Sequence, residues 1–530
     1  MKRHILTLLA MLPMFFTAAA ETITVDSVGK LATQLPESTR FTISELKICG
    51  PLNGQDLKLL QQIVTRTKTN KKNPNECLVT SVDLADVIIV EGKDGLKTKN
   101  GELPASLFAG AKSLQKVVLP QTLLIIGKSC FEDCESLTDF TLPESLKAIE
   151  ANAFEDCKSI TTVTLPEGIR LLEADVFKDC KSLTSITMSK DLAVIGNEAF
   201  FGCEVLNNVV IPEDVTEIGN AAFKKCTALA NIQMEKVRKI GNDAFEDCTS
   251  LTAVTFKNIN KIGVNAFEGC KALSTVTLEG SLDELSNDAF KDCTSLSSIT
   301  IPSSVKVLGN EVFNDCKNLT AITLPDGLKK IGSHAFEGCT TLKEMIIPNL
   351  VNNIGTSAFE ECTSLDSVAI NGLITEIAND MFRNCSSLRS ITIPNTVRKI
   401  GLKAFQGCST LSEITLPPAL TSIGEAAFSK CTSLVSLTFP VAVKEISSSA
   451  FEECTMLSIV ELPAALKRIG GSAFSKCPSL KTVVLNTSAP PSISKSTFKG
   501  SAPIFLIPRG SAAVYMSHKD WKNVSSFKER

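Results

Sequence analysis

A phenylalanine that recurs every 23 residues limits this chain more than any other feature. Phe108 is followed by Phe at 131, 154, 177, 200 and 223, at 245 and 267 after two steps of 22, and then at 290, 313, 336, 359, 382, 405, 428, 451 and 474, with a looser copy at Phe498. Three residues after the Phe stands a Cys in sixteen consecutive copies, from Cys134 to Cys477. Three residues further on comes a Leu, replaced once by Ile160. A chain held to such a period does not enlarge one core. Each copy is a unit that buries its apolar face only against the next copy, so the chain grows by stacking.

A period in the 20–29 range with this much Leu is the mark of a leucine-rich-repeat solenoid. One copy, Leu319 to Thr341, reads Leu-x-x-Ile-x-Leu-Pro-x-x-Leu-x-x-Ile-Gly-x-x-Ala-Phe-x-x-Cys. Its first part alternates apolar and polar residues, the period of a half-buried strand. Pro follows in eleven copies, from Pro120 to Pro463, and ends the strand because it cannot donate to a ladder. Leu328 to Gly332 is a second short extended piece, whose Gly permits a turn with positive φ, although Glu150, Glu173, Ser286, Ala378 and Ser447 stand at that place elsewhere. Ala-Phe-x-x-Cys predicts a single helical or 3-10 turn, with Phe and Cys on one inward face. The expected fold is an α/β repeat protein: a curved, right-handed solenoid of short parallel strands and short helical or 3-10 turns. About 17 turns at about 4.8 Å each would make it roughly 80 Å long.

Four segments are expected. Residues 1–20 have Lys2, Arg3 and His4, the apolar run Ile5 to Phe16, and Ala18-Ala19-Ala20 before Glu21, which is the pattern of a secretory signal peptide. The run is too short to span a bilayer, and no later stretch is apolar enough to do so. Residues 21–101 lack the register but keep strand-like spacing at Ile43, Leu46 and Ile48 and at Val79, Val82 and Leu84. A short helix is expected from Gln55 to Val64, and an exposed loop from Thr67 to Asn75. They are expected to form an N-terminal cap of degenerate repeats. Residues 102–485 carry the tandem repeats. Residues 486–530, with Pro490-Pro491 and the chain's single Tyr and Trp, Tyr515 and Trp521, form a C-terminal cap.

Nineteen Cys in an exported chain bring a disulfide framework to mind. The geometry of stacking opposes it, because equivalent positions lie about 4.8 Å apart with parallel side chains, whereas a disulfide needs converging Cβ atoms about 3.8 Å apart. The sixteen repeat Cys are therefore expected as a buried, unpaired ladder, while Cys49 and Cys77, outside it, could pair.

The repeat motif, together with CGPLNGQDL (Cys49 to Leu57) and IPRGSAAVYMSHKDWKN (Ile507 to Asn523), resembles the BspA-like leucine-rich-repeat family of bacterial surface and secreted proteins. The resemblance implies an extracellular or surface-exposed binding protein, some members of the family acting as adhesins for host matrix proteins or other bacteria. It implies no catalytic residues.

The outward positions of the first strand are mostly Thr and Ser, a hydroxyl-lined surface without aromatic anchors. The second extended piece is basic instead. Arg238 and Lys239, Lys329 and Lys330, Arg398 and Lys399, and Lys467 and Arg468 are the candidate binding residues, and the last three pairs recur every 69 residues, or three turns. Acids such as Glu132, Asp133, Glu155, Asp156, Glu246, Asp247, Asp292 and Asp315 cluster just past the Phe and predict an acidic stripe on another face. With 54 Lys and Arg against 57 Asp and Glu, net charge -3, there is no global basic field, which speaks against nucleic acid or an anionic membrane as main partner. His4, His334 and His518 are the only histidines, too few and too scattered for a His triad or a zinc cluster. No phosphate-binding or dinucleotide motif is present, and neither enzyme activity, cofactor nor metal is expected. The expected role is a secreted or cell-surface, adhesin-type binding protein for a protein ligand, a cell surface or an acidic glycan. The alternative is a structural or scaffold role in the bacterial envelope, with the periplasm as location.

Overall fold

The structure, a computed structural model, describes residues 19–40, 42–66, 78–524 and 526–530. Residues 1–18 of the expected signal peptide, the loop Thr67 to Asn75 and Cys77 lie outside the described residues. The chain divides into two compact units, Met1–Ser189 and Lys190–Arg530. The described residues make about 22 parallel-strand turns. That exceeds the number of 23-residue copies because strands before Phe108 and after Phe498 add turns that lie outside the period.

In the first unit, strands Ala19–Thr24, Ile43–Leu52, Ser81–Ile89, Lys116–Val118 and Asp139–Phe140 form one parallel sheet. Strands Glu102–Leu103, Ile125–Ile126 and Ala148–Ile149 form a second. The helix expected from Gln55 runs Gly54–Val64 and buries Leu57, Leu60, Ile63 and Val64. Its N-terminus is closed by a reciprocal capping box between Asn53 and Asp56. The Asp56 carboxylate also accepts from Gly29 N at 2.7 Å and Leu31 N at 3.0 Å, tying the helix to the preceding loop. Cys49 Sγ lies 3.6 Å from Asp86 Oδ2.

In the second unit each repeat contributes a strand to two rows, except that residues 411–417 form no first-row strand. First-row strands such as Ser298–Thr300 and Ala321–Thr323 pair residue for residue, Ile299 against Ile322, with the central residue inward and its neighbours exposed. Second-row strands such as Val307–Leu308, Lys330–Ile331 and Asn353–Ile354 pair in the same way. Equivalent side chains therefore stack in columns one rung apart.

The third side is not the expected helical turn. Among the described residues no helix is assigned between 102 and 485. Cys339 N bonds to Phe336 O and Glu337 N to His334 O, which are turn bonds. The residues two before and two after the Phe, His334 at φ 57° and Gly338 at φ 70°, are left-handed and prevent a helix from forming. The reversal points alternate N–H groups at the next rung, so Phe336 N reaches Ala358 O and Gly338 N reaches Glu360 O, both at 2.9 Å. Rungs are thus bonded to one another through this turn as well as through the two strand rows. The left-handed site after the Phe explains the residues found there: Asp133, Asp156, Asp247, Asp292, Asp315 and Asn384 tolerate that conformation, and Gly269 and Gly407 adopt it without strain.

The glycine of Ile-Gly serves a different purpose from the one expected. Gly332 and Gly219 are not left-handed. A Cβ on Gly332 would stand 2.4 Å from Gly309 C, and one on Gly219 would stand 2.6 Å from Asn197 N. Glycine is used because the backbone of the preceding rung approaches too closely here for a Cβ. Where Ser286 and Ser447 replace it, each hydroxyl bonds back to the previous rung, on Ile262 O at 2.6 Å and Ile423 O at 2.7 Å. Gly332→Ala is accordingly expected to destabilise by about 1–3 kcal/mol, as overpacking does, although alanine is the better residue on backbone entropy alone. Chemical denaturation measures it, and a neutral or stabilising result would show that the rungs can part at no cost.

The core consists of the repeated apolar residues. Phe336 stacks on Phe313 at 5.5 Å and on Phe359 at 5.3 Å between ring centroids, with interplanar angles of 22° and 2°. The repeat cysteines are buried and unbridged from Cys134 to Cys180 and from Cys226 to Cys477. Each of these thiols also links rungs: Cys339 Sγ donates to Phe313 O of the preceding turn at 3.2 Å, and Cys385 Sγ to Phe359 O at 3.0 Å. Beyond Leu485, strands Ile504–Ile507 and Phe527–Glu529 continue the first row in parallel. Tyr515 Oη donates to Thr487 O at 2.8 Å and Trp521 Nε1 to Pro491 O at 2.7 Å, so both buried aromatic rings have their polar ends satisfied.

Candidate binding face

A second-row strand is two residues long, so only the residue before the strand and its first residue can face solvent. These two positions hold the eight candidate basic residues, which stand in two adjacent columns of the second unit. Arg238, Lys329, Arg398 and Lys467 occupy the column before the strand. There the backbone links rungs through bonds such as Lys329 N to Lys306 O and Arg398 N to Thr375 O, both at 2.8 Å. Lys239, Lys330, Lys399 and Arg468 open the strands themselves, opposite Glu217, Val307, Glu376 and Glu445 of the preceding rungs.

The columns differ electrostatically, and this divides the single stripe expected from the sequence. In the strand column, acids stand among the bases. Lys239 pairs with Glu217, Lys399 Nζ lies 3.5 Å from Glu376, and Arg468 Nη1 lies 2.5 Å from Glu445. Such exposed pairs contribute only about 0.2–1 kcal/mol each, yet they neutralise the charge locally. In the other column, Lys306 lies 3.2 Å from Asp283. Arg238, Lys329, Arg398, Lys444 and Lys467, together with Lys330 of the strand column, have no ion-pair partner among the described residues, and all are exposed.

The acidic row past the Phe is used internally. Its Asp residues answer the backbone requirement described above. Lys224 Nζ lies 2.5 Å from Glu246 Oε2, and burial pushes the Glu246 carboxyl up, as it does that of Glu155. Glu360, buried, is held by Arg383. His334 Nδ1 lies 2.5 Å from Glu337 Oε2 on its own turn. Among the described residues no group of three or more His, Cys, Asp or Glu is placed to hold a metal ion, and no helix is long and apolar enough to cross a membrane.

The first-row face carries the exposed hydroxyls expected of it, at Ser185 and Thr187, Ser298 and Thr300, and Ser436 and Thr438. Large apolar residues also stand exposed in the second unit, and sequence reasoning passed over them. Leu350 and Leu373 are 54% and 62% exposed, and Ile346 is 63% exposed. Aligning the repeats would have shown the two leucines, since equivalent positions on neighbouring rungs hold Ser304, Gly327, Thr396, Ala419 and Ala442.

Stacked parallel strands on a 23-residue period, with a Phe, Cys and Leu core, make this a leucine-rich-repeat protein. A profile of the BspA-type leucine-rich repeat region, six copies long, matches residues 101–230, 172–297, 285–412 and 375–505. The chain belongs to that family. Similar solved structures include a leucine-rich repeat protein from Bacteroides ovatus, 27% identical over 83% of this chain and 97% of that one, with a TM-score of 0.48. A leucine-rich cell surface protein from Faecalibacterium prausnitzii is 28% identical over 63% of this chain and 86% of that one, TM-score 0.40. A leucine-rich repeat protein from Treponema pallidum is 22% identical over 46% and 82%, TM-score 0.25. A search of curated proteins finds no match.

Proposed function

We propose that this protein is exported and acts as a secreted or cell-surface binding protein that docks a protein or acidic surface ligand on the column of Arg238, Lys329, Arg398 and Lys467. The observation that carries this reading is the absence, among the described residues, of any ion-pair partner for these exposed cations, while Lys239, Lys399 and Arg468 of the neighbouring column are paired with its glutamates. Lys329, Arg398 and Lys467 stand three rungs apart, roughly 14 Å, which is beyond the screening length of about 10 Å at about 0.1 M salt and well within that of about 30 Å at about 0.01 M. Their fields therefore overlap along one side of the second unit at low ionic strength, and an extended anionic partner can meet them in turn. The composition of residues 1–20 supports export. Membership of the BspA-type family supports binding, since the family's repeats offer broad faces and no catalytic constellation.

Two anionic probes, heparin and an acidic polypeptide such as polyglutamate, test the site. At least one is expected to bind at low ionic strength and to be released by about 0.5 M salt. The triple variant Lys329→Glu, Arg398→Glu, Lys467→Glu should weaken that binding about 100-fold. Binding that ignores the reversal, or does not respond to salt, removes the column from the function. Protease treatment of intact cells tests the location: a protein that stays uncleaved until the envelope is broken belongs to the scaffold alternative.

A further inference from the structure

The basic column is interrupted at Asn260, Asp283, Asn352, Thr375 and Thr421. Between Lys329 and Arg398 the equivalent positions hold Asn352 and Thr375, and at these two rungs the preceding turn exposes Leu350 and Leu373. The two leucines are equivalent by the repeat, 23 residues apart, and stand on consecutive rungs. Gly372 beside Leu373 is buried, and a Cβ there would lie 2.3 Å from Val351 O, so the turn bearing Leu373 is pressed against the rung before it. Leu373 N donates to Val351 O at 2.8 Å, which fixes the backbone of that turn. On the first-row side of the same repeat stands Ile346, beside a shallow groove of 340 Å³. The arrangement in stacking order is thus two unneutralised lysines, Lys329 and Lys330, two exposed leucines, and then Arg398.

A single exposed leucine on a surface is ordinary. Two on adjacent rungs, where neighbouring copies hold Ser, Gly, Thr and Ala, form a local apolar surface bracketed by cations. Exposed alkyl groups between cationic residues match the anatomy of a protein interface, with an apolar centre, an Arg at its border and a charged rim. A sulfated glycan has no use for the leucines, because its sugar hydroxyls would lose water against them without gaining a partner.

We propose, building on the reading above, that Leu350 and Leu373 with Lys329, Lys330 and Arg398 form the docking site for a polypeptide whose apolar side chains lie between acidic residues, rather than for a polysaccharide. The acidic groups of such a segment would be separated by the roughly 14 Å that three rungs span. Its apolar side chains would cover both leucines.

The test uses the whole protein and two synthetic peptides of equal charge, one with a leucine pair between two acidic clusters and one with serines in place of the leucines, alongside heparin. The leucine peptide is expected to bind about 10-fold or more tightly than the serine peptide, in line with the burial of two half-exposed leucines. The double variant Leu350→Ser, Leu373→Ser should abolish that preference while leaving heparin binding unchanged; both positions are exposed, so circular dichroism should show an intact fold. Peptide binding that is equal for both peptides, with heparin binding retained, overturns the leucine site and leaves the basic column standing. Failure of all three probes overturns the basic column as well. A protein that self-associates, and becomes monomeric in the leucine double variant, assigns the patch to a second copy of this chain and overturns the proposal.

Discussion

Raising the pH from about 8 to about 10.5 is expected to unfold the repeats of the second unit cooperatively, because their thiols cannot ionise in place. Burial is the largest cause for each. It pushes Cys134 of the first unit from 9.0 up to about 12 and holds Cys248, Cys293, Cys339 and Cys385 well above the ordinary thiol range. A folded-state value raised above the unfolded one gives stability that is fully present below about pH 9 and lost as the pH climbs toward the folded value, since the unfolded chain releases protons that the folded chain keeps. At about pH 10 the loss exceeds 1 kcal/mol for each thiol. Over the repeat cysteines from Cys226 to Cys477, it is on the order of 15 kcal/mol, as large as the whole stability of an ordinary domain. Thiolate absorbance and far-ultraviolet circular dichroism should therefore change together in one steep step. Thiols that titrate gradually near pH 9 while the dichroism stays constant would mean that the ladder is not sealed from water.

Phe336→Ala is expected to cost about 3–5 kcal/mol, the usual loss for a large buried aromatic side chain. The deleted ring is fully buried and loses both stacking partners, Phe313 and Phe359. The consequence in a stacked array is larger than the number. Each rung is stabilised mainly by its neighbours, so a weak rung in mid-array uncouples the two sides. Denaturation should change from one transition to two, and limited proteolysis should cut first near residue 336. A single transition that merely shifts to lower denaturant would show that coupling extends well beyond nearest neighbours. The conservative variant Phe336→Leu should keep the single transition, since it retains most of the buried volume.

The inventory of the core could be read from the chain because it is written in one dimension. Phe, Cys and Leu recur in register, and stacking places like on like, so a residue's burial follows from its place in the period. The strands, the break after Leu485 and the helix near Gln55 follow from similarly local patterns. The turn containing Ala-Phe-x-x-Cys did not, because the spacing of Phe and Cys fits a helical turn as well as a turn reversed by left-handed residues. The excess of Asp, Asn and Gly two residues after the Phe is the local sign of that reversal, and its Asp residues read equally well as surface charge. The glycine of Ile-Gly was likewise explained by its own conformation, when its cause is the backbone of the previous rung.

The candidate face divides in the same way. Which residues are basic, and that they recur every three turns, is local information. That Lys399 and Arg468 are answered by Glu376 and Glu445 while Lys329 and Arg398 are not depends on which residues meet across 23 positions. The exposure of Leu350 and Leu373 depends on the same alignment. Period and residue type therefore determine what each rung contains and which side of it faces inward, since both follow from neighbours along the chain. The left-handed turns, the close approach at Gly332, the thiol bonds to the preceding rung and the bracketed leucine patch arise only in the folded stack, because each depends on a distance between rungs that exists only once they are packed together.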